Sequence, residues 1–186
     1  MPRIQDAKIL IIATNGFEQS ELEVPRDELA KAGAEVHVAS TDGKAIRGWK
    51  GSDWSDTVNV DTALNKVSAM DYDALVLPGG LINPDILRRD KDAITLIKGF
   101  FDQGKVIAAI CHAPWLLAEA DVLRGLEATS YPSLRTDIAN AGAKVVDQSA
   151  VADRGIVTSR NPDDLPDFVA KIIEEIEEGT HYRVAA

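Results

Sequence analysis

The chain has 186 residues, 45% of them hydrophobic and 27% charged, and 20 basic against 30 acidic residues give a formal net charge of −10. This length supports one domain with a sizeable core, and the composition excludes a disordered or low-complexity chain. The negative balance argues against general binding to nucleic-acid phosphates.

No apolar run approaches the ~20 residues of a membrane span. The polar start, Met1–Asp6, lacks a signal-peptide pattern, so a cytoplasmic protein without membrane contact is expected. Cys111 is the single cysteine. It excludes an intramolecular disulfide and a zinc site built on several thiolates. His37, His112 and His181 lie far apart without metal-ligand spacing, so no metal is expected. There is no nucleotide-binding fingerprint or Walker motif, and no cofactor is implied.

Lys8 to Ala13 is an unbroken, β-branched run of the kind found in parallel strands covered on both faces. Residues 17–32 read as a helix that Pro25 should kink or restart, closed by Gly33. Glu35 to Ala39 is the second strand. Trp49 and Trp54 lie in the polar segment from Gly48 to Asp56, where they either line a pocket or interface or cap the core. Asp73 to Leu77 is a strand ending at Pro78-Gly79-Gly80. Asn83-Pro84-Asp85 reads as an ordinary helix start. The spacing of Ile94, Ile97, Phe100 and Phe101 predicts a helix over Asp90 to Gln103, stopped by Gly104.

Val106 to Ile110 is a strand that runs directly into Cys111. Val145-Val146 and Ala150-Val151 suggest a short antiparallel pair before a strand at Gly155 to Ser159. The last helix has Asn161 as N-cap, Pro162 in first position, Asp163 and Asp164 against the dipole, and an apolar stripe from Leu165 to Ile176. This alternation predicts one α/β domain over residues 1–186, a sandwich with a mostly parallel sheet and helices on both faces. Ligands of such sheets bind beyond the carboxyl ends of the strands. Thr14 to Glu18, Pro78 to Asp85 and Cys111 to Trp115 should therefore converge on one crevice.

A buried strand, then Cys111, then a helix-compatible segment is the layout of a nucleophile elbow, with Ala109 and Ala113 as small neighbours where Gly is usual. A helix N-terminus would lower the thiol pKa, and the N–H of His112 could donate to an oxyanion. On these residues alone Cys111 is either a reactive thiol or a small buried hydrophobe. Glu18 is either a solvated loop carboxylate or a group facing the crevice. Gly79-Gly80 is either an ordinary turn or a backbone open to a ligand.

Together these segments resemble the PfpI family, the intracellular-protease-like and stress-protein branch of the class I glutamine-amidotransferase-like superfamily. The similarity runs from Lys8 to about Ile176. It rests on Gly16-Phe17-Glu18 with Glu21, Asp73 to Gly80, Ala109 to Pro114, Leu123-Arg124-Gly125, Thr129 to Pro132, and Ser159 to Leu165, all in order. The resemblance implies a flavodoxin-like three-layer sandwich with Cys111 as nucleophile. Glu18 would hydrogen-bond the thiolate and shuttle a proton. The N–H groups of Gly80 and His112 would form the oxyanion hole, with Gly79 in the same glycine loop.

His112 would be the base, oriented in protease-like members by a carboxylate from a neighbouring subunit. Here that loop carries Asp85 in place of a glutamate. A glutamine amidotransferase would need a His-x-Glu base, but His181 is followed by Tyr182-Arg183. The implied activity is that of a cysteine-dependent stress-response hydrolase acting on methylglyoxal or glyoxal adducts, as a deglycase or a glyoxalase-like enzyme. The alternatives are a redox-sensing protective protein that oxidises Cys111, an intracellular cysteine peptidase, and a non-catalytic module. The implied partners are a second copy of the chain, most simply in a dimer, and small carbonyl compounds or glycated proteins.

Overall fold

Apolar runs too short for helices and too continuous for half-exposed strands form the centre of a parallel sheet. In the computed structural model, which describes residues 2–183, β1 (Lys8–Ile12) leads to the two-residue β2 (Phe17–Glu18), α1 (Gln19–Lys31) and β3 (Glu35–Ser40). A hairpin of β4 (Ile46–Lys50) and β5 (Asp53–Val58) precedes β6 (Thr62–Ala63), β7 (Ala74–Leu77), α2 (Ile82–Leu87) and α3 (Lys91–Asp102). Then come β8 (Val106–Ile110), α4 (Pro114–Glu119), β9 (Glu127–Ala128), α5 (Arg135–Asn140) and β10 (Lys144–Val145). The order closes with β11 (Ala150–Asp153), β12 (Ile156–Ser159) and α6 (Leu165–Glu178).

Seven strands form the main sheet in the order β11-β12-β8-β7-β1-β3-β6. The neighbours are parallel except for β11 and β12. From β1 the chain builds outward through β3 and β6, then crosses to β7 on the other side. This switch opens a crevice beyond the carboxyl ends of β1 and β7.

Side chains alternate along each strand. Leu10, Ile12, Leu75, Leu77 and Ile107 face Leu96, Ile97 and Phe100 of α3 and Leu116 of α4. Ile9, Ile11, Val76, Ala108 and Val157 face Leu22 and Leu29 of α1 and Phe168 and Ile172 of α6. The result is the expected three-layer sandwich. Its helix ends follow local chemistry. The Asp90 carboxylate accepts from the N–H groups of Asp92 and Ala93 at 2.9 and 3.1 Å, and Asn161 accepts from Asp163 N–H at 2.9 Å in the turn before α6.

Two local expectations are revised. Pro25 lies inside an uninterrupted α1, because burial of Leu22, Pro25 and Leu29 against the sheet outweighs one lost backbone bond. The expected pairing of Val145-Val146 with Ala150-Val151 does not form. Instead β10 pairs in parallel with β9, and β11 pairs with β12. The two-residue turn Arg154-Gly155, with φ of 50° and 77°, has the backbone a tight hairpin needs, and so claims β11 for β12. Trp49 and Trp54 are a cross-strand pair on the β4–β5 hairpin, edge to face at 5.5 Å.

Candidate active site

The main chain turns sharply where β8 ends. Cys111 has φ of 64°, a left-handed conformation that is unfavourable for a residue with a Cβ. It is held there from both sides. Its N–H donates to Ser159 O at 3.0 Å, and its carbonyl accepts from Tyr131 N–H at 2.8 Å. Ala109 and Ala113, the small flanking residues, are fully buried. The chain thus forms the elbow that the sequence suggested, with the thiol in the crevice.

The sulfur lies 3.1 Å from His112 Nδ1, although neighbours in sequence do not generally face each other. The left-handed turn at Cys111 brings the two together. The N–H groups of Gly80 and His112 point at the thiol and favour its ionised form. Burial acts more strongly in the opposite direction, and the charge of Glu21 adds to it, so the thiol pKa is pushed up. The low thiol pKa expected from a helix N-terminus is therefore not the outcome. Here α4 is only six residues long, and desolvation dominates.

The carboxyl group at the thiol belongs to Glu21. Glu18, the expected partner, is the extended residue ahead of α1, half-buried and paired in register with Trp49. Glu21 sits in the first turn of α1 and is fully buried. Its Oε2 accepts from Gly79 N–H at 2.9 Å, and Oε1 has no hydrogen-bond partner among the described residues. Burial, reinforced by the charge of Glu18, pushes the Glu21 pKa up to about 8. The carboxyl group is thus mostly protonated at neutral pH and able to donate.

A signal for Glu21 was present in the sequence. Glu21, Pro25 and Leu29 are spaced four apart and share one buried face of the helix.

Gly79 and Gly80 are required by space and by backbone. A Cβ at Gly79 would stand 2.6 Å from Glu21 Oε2 and 2.7 Å from Cys111 Cβ. Gly80 has φ of 80°, and a Cβ there would stand 2.6 Å from Gly16 O. The loop is pinned by Asn83, which was read only as part of a helix start. Its Oδ1 accepts from Thr14 N–H at 2.8 Å, and its Nδ2 donates to Pro78 O at 2.8 Å and to Gly79 O at 3.2 Å. One fully buried side chain thereby ties the end of β1 to the glycine loop.

The His112 ring stacks on Tyr131 with centroids 4.6 Å apart and meets Trp115 edge-on at 5.5 Å. Burial lowers its pKa, so the neutral ring prevails at neutral pH. Asp85 is exposed on α2 and lines a surface hollow with Arg88, Arg89 and Glu119. Among the described residues it makes no hydrogen bond to His112. The structure therefore brings Cys111, His112, Gly79, Gly80 and Glu21 together, and leaves Glu18 beside the site and Asp85 on the surface. A thiol, two N–H donors, a protonated carboxyl group and a neutral imidazole suit addition to a carbonyl carbon.

Residues 7–175 match the profile of the DJ-1/PfpI family. "Protein/nucleic acid deglycase 2" of Escherichia coli is 44% identical over 87% of this chain and 92% of its own length. "General stress protein 18" of Bacillus subtilis is 42% identical over 87% and 92%, and "Deglycase PfpI" of Pyrococcus furiosus is 38% identical over 90% and 98%. Among solved structures, Drosophila melanogaster DJ-1beta superposes with a TM-score of 0.82 at 33% identity, covering 92% of this chain and 94% of that one. A two-domain protein from Anabaena variabilis, with DJ-1/ThiJ/PfpI-like and ferritin-like domains, gives 0.85 at 33% identity. It covers 92% of this chain, which spans 48% of that protein.

Proposed function

The chain belongs to the DJ-1/PfpI family, and from that premise we propose that it is a cysteine-dependent deglycase or glyoxalase-like hydrolase acting on methylglyoxal and glyoxal adducts. The observation that carries this reading is the convergence of the Gly80 and His112 N–H groups on a thiol fixed in a strained elbow. The names of the E. coli and P. furiosus relatives support the substrate class.

In this reading Cys111 Sγ adds to the aldehyde carbon. A C–S bond forms and the carbonyl pair moves to oxygen, which the two N–H groups stabilise and which takes up the thiol proton by way of His112 Nδ1, 3.1 Å from the sulfur, leaving the ring neutral. His112 removes the proton from that carbon, and its return at the neighbouring carbon converts the hemithioacetal into a thioester of lactate. Water then breaks the C–S bond and releases lactate and the thiol. Methylglyoxal plus water becomes lactate without an external oxidant or reductant. On a protein adduct the C–N bond also breaks, and the Glu21 carboxyl group supplies the proton to the departing amine.

A second copy of the chain belongs to the same proposal. The His112 ring donates to no orienting carboxylate within the described residues, and Asp85 is exposed where another copy could meet it. Light scattering of the purified protein tests this: a dimer or larger assembly is expected, and a strict monomer overturns it.

The test of function is lactate release from methylglyoxal and from a methylglyoxal-treated N-acetyl amino acid, with Cys111→Ser as control. Cysteine-dependent turnover of the treated amino acid, faster than free methylglyoxal consumption allows, supports a deglycase. Turnover of free methylglyoxal alone supports the glyoxalase-like form. Absence of both overturns the proposal.

A further inference from the structure

We propose that the carboxyl end of α6 and the segment after it bind one divalent first-row transition-metal ion, through Glu175, Glu178 and His181. Their ligand atoms all lie within 4.8 Å of one another. Glu175 and Glu178 are three residues apart on α6 and share a face. His181 comes back onto that face because Gly179, with φ of 95°, ends the helix and reverses the chain. The return is anchored. His181 N–H donates to Gly104 O at 2.8 Å. Two residues on, the Arg183 guanidinium donates to Phe101 O, Lys105 O and Arg154 O at 2.7, 2.6 and 2.8 Å. The imidazole is thus presented by a fixed backbone.

A second observation points to a ligand. The Glu175 side chain is only 9% exposed, yet among the described residues its carboxylate accepts no hydrogen bond. Among the described residues it meets His181 Nε2, at 3.5 Å. That nitrogen lies 3.1 Å from the Glu175 main-chain oxygen. Glu174 and Glu178 add negative charge around the same carboxylate, and Lys171 offsets it in part. A carboxylate this far removed from water is costly to keep charged without a close counter-ion, and a cation between Glu175, Glu178 and His181 would supply one.

One imidazole and two carboxylates suit zinc, cobalt, nickel or copper better than calcium or magnesium, which prefer all-oxygen sets. Two carboxylates balance the double charge, and water completes the coordination. On binding, the ring nitrogen exchanges its contact with the carbonyl for a coordinate bond. Considered alone, the histidines offered no ligand spacing. The set exists because two glutamates, at three-residue steps before His181, complete it.

The site is separate from the crevice. It adjoins Gly104 and Gly155, which precede β8 and β12, whereas Cys111 follows β8. A strand of this length separates the two ends by about 17 Å. The ion would tie α6 to the tail that covers the end of α3, and would stabilise the native state in proportion to its occupancy.

The test is titration of the Cys111→Ser protein with Zn²⁺ by calorimetry and with Co²⁺ by visible absorption, so that the thiol cannot compete. One equivalent is expected to bind, with cobalt bands free of thiolate charge transfer. His181→Ala and Glu178→Gln should each weaken binding about tenfold or more, and Glu174→Gln should leave it unchanged. Glu178 is exposed and His181 lies in the tail, so circular dichroism should show both variants folded. Zinc should raise the melting temperature of the parent but not of His181→Ala. Failure to bind a stoichiometric ion, or equal binding by His181→Ala and Glu178→Gln, overturns the proposal.

Discussion

Glu21 and Cys111 face each other across Gly79, where an added methyl group would stand 2.6 Å from the carboxylate oxygen of one and 2.7 Å from the Cβ of the other. Their proximity leaves two acids in a buried space, each made harder to ionise by desolvation, with the charge of Glu21 adding to the effect on the thiol and the charge of Glu18 adding to the effect on Glu21. Several measurable consequences follow from this contact and its supports.

Gly79→Ala should damage the site without unfolding the protein. The methyl group must push Glu21, Ile110 O or the Cys111 side chain aside, and a displacement of about 1 Å at reacting groups costs roughly 10²-fold in rate. Steady-state lactate release with a far-UV spectrum as control measures this. Activity within twofold of the parent would count against the proposed geometry.

The two glutamates should separate sharply. Glu21→Gln removes the charge that opposes thiol ionisation, so the pH at half-maximal alkylation of Cys111 by iodoacetamide should fall. Turnover of the methylglyoxal-treated amino acid should also fall, because the proton donor to the departing amine is gone. Glu18→Gln acts only from the edge of the site and should keep turnover within a few-fold. Alkylation profiles from pH 5 to 10 and lactate assays decide between them. Identical profiles for the parent and Glu21→Gln would refute the pairing.

Glu21 also predicts a dependence of stability on pH. Its folded pKa, about 8, lies above the ordinary carboxylate value. The folded state therefore binds the proton more tightly than the unfolded chain. The stability this supplies is fully present below about pH 4.5 and is lost as pH rises through about 8. Glu21→Gln lacks this loss, so its melting temperature relative to the parent should become more favourable from pH 5 to pH 9. A constant difference across that range would show that Glu21 does not bind its proton more tightly in the folded state.

Asn83→Ala should lower both stability and rate. It orphans the N–H of Thr14 and Pro78 O in a buried setting, while Gly79 O keeps the Glu18 N–H at 3.3 Å, at about 1–3 kcal/mol for each group left unsatisfied. Chemical denaturation gives the first effect and lactate release the second. Unchanged denaturation would mean that water replaces the side chain.

Away from the site, Phe168→Ala should cost about 3–5 kcal/mol, since Phe168 is fully buried between α6 and the sheet. Asp90→Ala should cost about 1 kcal/mol through loss of the α3 cap. Urea denaturation separates the two. A larger effect at Asp90 than at Phe168 would reverse this ranking of packing over capping.

The amino-acid sequence by itself determined the strand–helix alternation, the parallel sheet, the cap at Asn161, and the elbow at Cys111. These follow from hydrophobic periodicity and local backbone chemistry, which act over a few residues. The tertiary structure alone decided which glutamate meets the thiol, because Glu18 and Glu21 are both acidic residues near a helix start. Only the direction of α1 against the sheet buries Glu21 and leaves Glu18 at the rim. It also decided that Asn83 clamps Thr14, 69 residues away in sequence, and that β11 joins β12. The contact of His112 Nδ1 with the sulfur required the left-handed backbone at Cys111. The thiol pKa was decided in the same way: the fold sets how much water reaches the sulfur, and removal of that water outweighs the favourable dipoles that local sequence suggested.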